Sequence, residues 1–398
     1  MSRWEVHFHP VDVVIASGTR SLDVMAQGDK GDPSPLAFAG ALRTALMAAD
    51  SSSKKLSELG INTDNPDEPS RFRFIGPFLA NSDGHWLLPV PRHLLVLKEG
   101  FARKVQPLAM RTAEDYRADE PLSPRAILTM EERGAEVLSE WVSFPSLLRL
   151  LSFGKIDEKI FDETLFLSPV AHPREDWVKE EPRTGHQRAN SGSVAKEGGL
   201  FTRTALRFKE EIGINGLTGS GYAGLVEIPE ELDGALQKLG WVRLGGDGHQ
   251  AACEVKDPAA IPDAVREELA RAIAAAKGIV LYLATPAIFE RGWQPEWGRC
   301  LRDWTLKAAA VGRPLPIAGW DYAKQAPRPV YRAVPPGSVY FLQAPRALSD
   351  DDASMIVDRF LLKESLSDRY GRLGFGYTIV GAWDPDGPPS GAGKEVYL

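Results

Sequence analysis

A chain of 398 residues, 43% of them hydrophobic, is long enough for two domains with separate cores and ordinary for a folded globular protein. Its formal charge of -7 excludes a surface that is basic all over, so any nucleic-acid site has to be a local patch. Two distant cysteines, Cys253 and Cys300, exclude a disulfide framework or a CxxC zinc module, and no apolar run of about 18 residues is present to enter a membrane. The first ten residues lack the apolar core of a signal, so a cytoplasmic location is expected.

From the N-terminus, Trp4, Val6 and Phe8 alternate with Glu5, His7 and His9, which predicts a strand with one buried face and both histidines on its solvated side. A His-x-His pair is half a metal site, but nothing nearby completes the ligand set. Gly31 to Pro35 reads as a turn, and residues 36–47 as a helix burying Phe38, Leu42, Ala45 and Leu46, with Arg43 on another face. Gly40, unexpected in the first turns, points to another chain approaching a helix N-terminus, where free amides favour an anion; close packing on a sheet explains it equally well. Residues 50–71 read as a polar linker, 72–80 and 85–90 as strands, 98–137 as a charged irregular insertion, and 138–151 as a helix burying Val142, Leu147 and Leu151.

Residues 183–209 hold six Lys or Arg against one Glu, including Arg183, Arg188, Lys196 and Arg203, in two extended arms around a Ser/Gly/Asn tip. That describes a projecting basic hairpin able to follow a phosphate backbone, or a solvated one with no such role. Gly219, Gly221 and Gly224 match GxGxxG, but a strand follows where the dinucleotide fold needs a helix; Gly393-Lys394 likewise lacks the first glycine and the helix of a P-loop. A short helix at 230–239, strands at 241–244 and 249–255, a helix at 262–277 and strands at 279–284 and 338–342 follow. Without regular βα alternation, the order favours an α+β fold of antiparallel sheets and helices.

Near the C-terminus, Ser349 and Asp352 form a capping-box pattern before a helix carrying Ala353, Ile356, Val357 and Phe360 on one face. Then comes Arg369-Tyr370-Gly371-Arg372-Leu373-Gly374-Phe375-Gly376-Tyr377, running into a β-rich segment that ends at Trp383. Glycines beside arginines and aromatics describe a backbone cradle for an anion, or a plain connection between two elements.

Taken in order, PSPLAFAGALRTALM, AKEGGLFTRTALRF and GRLGFGYTIVGAW resemble the RAMP proteins of CRISPR systems, and more narrowly the third subunit of the type III-B (Cmr) effector complex. The resemblance runs from about residue 4 to 383. It implies two tandem ferredoxin-like, RRM-related domains with insertions and a projecting basic hairpin, expected at 1–205 and 206–398. It implies further a non-catalytic, cofactor-free and metal-free protein that binds the crRNA 5′ tag and contacts a large polymerase/cyclase-like subunit and a backbone RAMP subunit. By that resemblance Gly374, Phe375, Gly376 and Tyr377 of the loop, Gly40 and Arg43 of the first helix, and Arg183, Lys196 and Arg203 of the hairpin face RNA; Arg188, Arg369 and Arg372 join them by charge. Bases would stack on exposed Phe and Tyr, and Gly376→Asp would abolish binding while the fold survived. The insertion at 98–137 and the tail after Trp383 depart from the pattern and inherit nothing. The rival reading is a RAMP endoribonuclease with His186 taking the 2′-hydroxyl proton.

Overall fold

The alternating N-terminal segment becomes Ser2–Pro10, an inner strand of a seven-stranded antiparallel sheet. The computed structural model describes residues 1–15, 32–49, 59, 71–99, 102–107, 109–112, 126–129, 136–137, 139–152, 171–188, 195–213, 216–246, 248–258, 261–321, 326–385 and 396–397. Across the sheet the strands run Trp141–Ser143, Trp86–Pro89, Arg73–Ala80, Gly221–Ile228, Ser2–Pro10, Gln250–Lys256 and Trp241–Arg243. The helix Pro35–Ala49 lies over the face carrying Val6, Phe8, Phe74 and Val226. Phe38 holds it there, edge-on to Phe8 at 5.2 Å and stacked on Phe74 at 6.2 Å.

Residues of the other parity, Ile75 and Leu225, belong to a second core that includes the second sheet. His7 and Glu5 share that parity, and the expectation that His7 is solvated does not hold: both are buried. The turn at 81–85 covers them. Gly84 supplies the room, since a Cβ there would stand 3.0 Å from the His7 ring, and Glu5 accepts hydrogen bonds from Trp86 Nε1 at 2.9 Å and from His7 at 2.7 Å. A buried carboxylate is tolerated when it is satisfied in this way.

The second sheet is antiparallel, with strands in the order Thr305–Ala310, Val339–Gln343, Gly278–Leu283 and Thr378–Ala382. Numbered along the chain, these stand 2-3-1-4, and so do Arg73–Ala80, Gly221–Ile228, Ser2–Pro10 and Gln250–Lys256 of the first sheet. The helices Asp263–Ala276 and Asp350–Phe360 pack against each other and on this sheet. Strands at 221–256 complete the first sheet, so the break between the two units falls between Lys256 and Asp263 rather than at 205/206. Backbone pairing, which composition does not reveal, sets that boundary.

The helix expected over 138–151 begins only at Phe144, because Trp141–Ser143 pairs with Trp86–Pro89 and Ser143 then caps the helix through its hydroxyl. Within the insertion, Leu94–Glu99 pairs with Ala102–Pro107 and Ala109–Thr112 with Ala126–Thr129, so the described part is made of short strands. Most of the linker expected at 50–71 and of the tail lies outside the described residues. The connection after Thr305–Ala310 is an arm in which Leu315–Ile317 pairs with Tyr331–Ala333 and Trp320–Asp321 with Ala326–Pro327. Its Ile317 and Ala333 are buried in the core of the first sheet, which brings it beside the first helix. No helix among the described residues is long and apolar enough to cross a membrane.

Candidate nucleic-acid interface

The C-terminal helix starts as its sequence requires, with Ser349 and Asp352 closing a full capping box. The loop after it departs from the cradle expected. Phe375 is 0% exposed and Tyr377 1%, so neither offers a face for a base. Gly374 has φ +103, and a Cβ on it would stand 2.6 Å from the Gly76 carbonyl oxygen and 2.8 Å from Pro35 Cβ. Gly376 has φ +75, and a Cβ there would collide with the backbone nitrogen of Ser367. The space these glycines leave open is filled by the protein's own backbone. The loop ties the two sheets together: Phe74 N–H donates to the Arg372 carbonyl at 2.8 Å, and Gly376 N–H donates to the Pro286 carbonyl at 2.7 Å. Burial raises the Tyr377 hydroxyl above its ordinary range, with Arg73 the leading opposing influence.

The loop's arginines stay outside. Arg372 is exposed, and Arg369 is half-exposed, its guanidinium over the Tyr331 ring at 5.2 Å and 3.4 Å from Glu290. On the first helix Gly40 is exposed and a Cβ there would meet nothing within 4 Å, so close packing does not account for it. Arg43, one turn on, lies over Phe72 at 5.9 Å; burial, and secondarily the like charge of Arg328, lower it to about 10.

Arg328 and Tyr331 were missed in the sequence. They sit on the arm, in the run Arg328-Pro329-Val330-Tyr331-Arg332, where prolines hide strands of three residues. The alternation of basic, apolar and aromatic residues was the available signal. The arm brings Arg43 and Arg369 into one strip, through Arg328 beside the first and Tyr331 beneath the second.

The projecting hairpin is present, as Val178–Arg188 paired with Ala195–Phe208. Its base is less basic than its own count implies. Arg183 reaches Glu181 at 2.9 Å and Asp12 at 3.3 Å, and Arg207 reaches the same two carboxylates at 2.7 and 3.1 Å. Both acids lie outside the window over which the charge was counted. The hydrogen bonds from Arg207 and Arg183 hold Glu181 below the ordinary carboxylate range. Arg203 is half-buried and stands opposite Arg183. The side chains of His186, Arg188 and Lys196 lie outside the described residues. His9, the other strand histidine, approaches the Gly219 carbonyl at 3.2 Å and Glu254 at 3.8 Å.

The family model described as CRISPR-associated protein (Cas_Cmr3) matches residues 8–383. The chain belongs to that family. The resemblance to the third RAMP subunit of the Cmr complex, read from three sequence stretches, is thereby borne out. No curated protein matches the sequence significantly. Among solved structures, a chain of a type III-B Cmr-beta complex bound to cognate target RNA and AMPPnP is 15% identical, with TM-score 0.47, over 94% of this chain and 98% of that one. A chain of a Csm3–Csm4 subcomplex of the type III-A CRISPR-Cas interference complex is 10% identical, with TM-score 0.40, over 96% and 100%. The family assignment rests on the family match rather than on these likenesses.

Proposed function

We infer that this chain is a non-catalytic RNA-binding subunit of a type III-B (Cmr) effector complex. It holds the crRNA 5′ tag and joins the large polymerase/cyclase-like subunit to a backbone RAMP subunit, in the cytoplasm. The observation that carries the reading is the Cas_Cmr3 match from residue 8 to 383. The repeated 2-3-1-4 strand order supports a pair of ferredoxin-like units, spanning about 1–256 and 263–383. The first keeps its helix after strand one, and the second keeps its helix between strands three and four.

Chemically, an RNA tag held in one shape needs guanidiniums for its phosphates and surfaces against which its bases are ordered. Arg43, Arg369 and Arg372 are placed to supply the first, and Gly40 leaves the first helix open to a close approach. The buried Phe375 and Tyr377 supply rigidity to the loop instead of stacking faces. The test is to assemble the complex with labelled crRNA, with and without this chain, and to map nuclease protection of the guide's 5′ end. Protection that depends on this chain is expected; equal protection without it overturns the reading. Cleavage of repeat-containing RNA by the purified chain, lost in His186→Ala, would replace it with the ribonuclease reading.

A further inference from the structure

A guanidinium without a carboxylate, held half-buried next to another guanidinium, is unfavourable unless an anion joins them. Arg328 is in that position. It is half-buried, no carboxylate partners it among the described residues, and the charge that acts on it at short range is Arg43. The backbone fixes it there, since Arg328 N–H donates to the Gly319 carbonyl at 2.8 Å and the arm is anchored in the first core through Ile317 and Ala333. Arg332, exposed on the same arm, also has no carboxylate partner among the described residues. Between and beside them lie the exposed Val330 and the Tyr331 ring beneath Arg369. On the facing helix, Gly40 stands one turn before Arg43 and has empty space where a side chain would be.

We propose that the arm at 315–333 and the open face of the first helix form the two walls of a groove for single-stranded RNA, in which one phosphodiester bridges Arg328 and Arg43. The inference rests on the RNA-binding reading and deepens it: the contact moves from the glycine loop to an arm that neither the motifs nor the charge count marked. Guanidiniums suit the role because each presents paired N–H donors to phosphate oxygens. Gly40 lets the sugar-phosphate chain pass along the helix, and the apolar and aromatic edge of the arm gives the adjoining base a surface to lie on.

The experiment measures binding of a fluorescein-labelled single-stranded RNA 12-mer to the purified full chain by anisotropy over a salt series, for wild type, Arg328→Ala and Arg332→Ala. Each phosphate contact to a single strand contributes about 0.7 to the slope of log affinity against log salt, so Arg328→Ala is expected to lower that slope by about 0.7. Melting of Arg328→Ala without RNA serves as the second readout. A guanidinium that waits for an anion leaves the melting temperature unchanged or higher when removed, whereas a structural tie lowers it. RNA binding by wild type with an unchanged slope in Arg328→Ala overturns the groove and leaves the RNA-binding reading intact. No binding by wild type even at 50 mM salt overturns both. A labelled oligo-glutamate 12-mer that binds as tightly as the RNA, and loses as much on Arg328→Ala, makes the strip a protein-docking surface and overturns the proposal.

Discussion

Gly40 and Gly376 look alike in the sequence, each a glycine near arginines, yet the structure gives them opposite meanings. At Gly376 the backbone has φ +75 and Ser367 occupies the place of a Cβ, so any side chain meets both strain and a backbone collision. Gly376→Asp was expected to spare the fold. The geometry reverses this: Gly376→Ala alone should cost at least about 1–3 kcal/mol in a urea titration, and Gly376→Asp more. A wild-type midpoint for Gly376→Ala would show that Ser367 yields freely. Gly40 is helical with open space, so Gly40→Ala should raise stability by about 1 kcal/mol and weaken RNA binding in the same preparation. Loss of stability there would mean that the helix needs its glycine for packing. Sequence shows where a glycine is; whether chain or solvent fills its space depends on a neighbour distant in sequence, such as Pro35 for Gly374.

Elements with local chemistry were legible. The C-terminal helix was readable because Ser349, Asp352 and the apolar face all lie within a dozen residues, and the N-terminal strand because its alternation is clean. The cap itself is testable. Ser349→Ala removes the hydroxyl that accepts from Asp352 N–H at 3.1 Å and should cost about 1 kcal/mol in thermal melts. Asp352 is held below its ordinary value, first by its hydrogen bond from the Ser349 backbone, so its contribution is complete above the ordinary aspartate range and disappears as pH falls through the lowered value. Equal melting of Ser349→Ala and wild type at neutral pH would show the cap to be dispensable. The arm was not legible, since strands of two and three residues broken by proline carry no periodicity. Nor was the neutral base of the hairpin, because Asp12 reaches it from a turn 171 residues away in sequence. Charge counted in a window ignores partners brought in by the fold.

At the scale of the whole molecule, the unforeseen fact is that the chain leaves the first sheet, builds an insertion and a hairpin, and returns at Gly221 to pair with Ser2–Pro10. Periodicity identifies a strand but not the sheet it joins, and this is why the unit boundary was placed about fifty residues early. The two units are locked by the segment after Trp86–Pro89. Tyr282 donates its hydroxyl to the Pro89 carbonyl at 2.7 Å, Arg92 N–H donates to Gly337 at 2.9 Å, and His93 packs edge-on to Phe341 at 5.3 Å. His93 is 1% exposed, and burial lowers it to about 3. An unfolded chain protonates this ring near 6.5, whereas the folded one does so only near 3, so between those values the unfolded state holds one more proton. Stability contributed by neutral His93 is therefore complete above 6.5 and falls with acidification at up to about 1.4 kcal/mol per pH unit. Urea titrations from pH 7 to 4.5 should show that slope in wild type, with one proton's worth of it missing in His93→Leu, which keeps an apolar group against Phe341. If both proteins lost stability in parallel, His93 would already be protonated in the fold, and the acid sensitivity of the junction would have to come from the carboxylates around it.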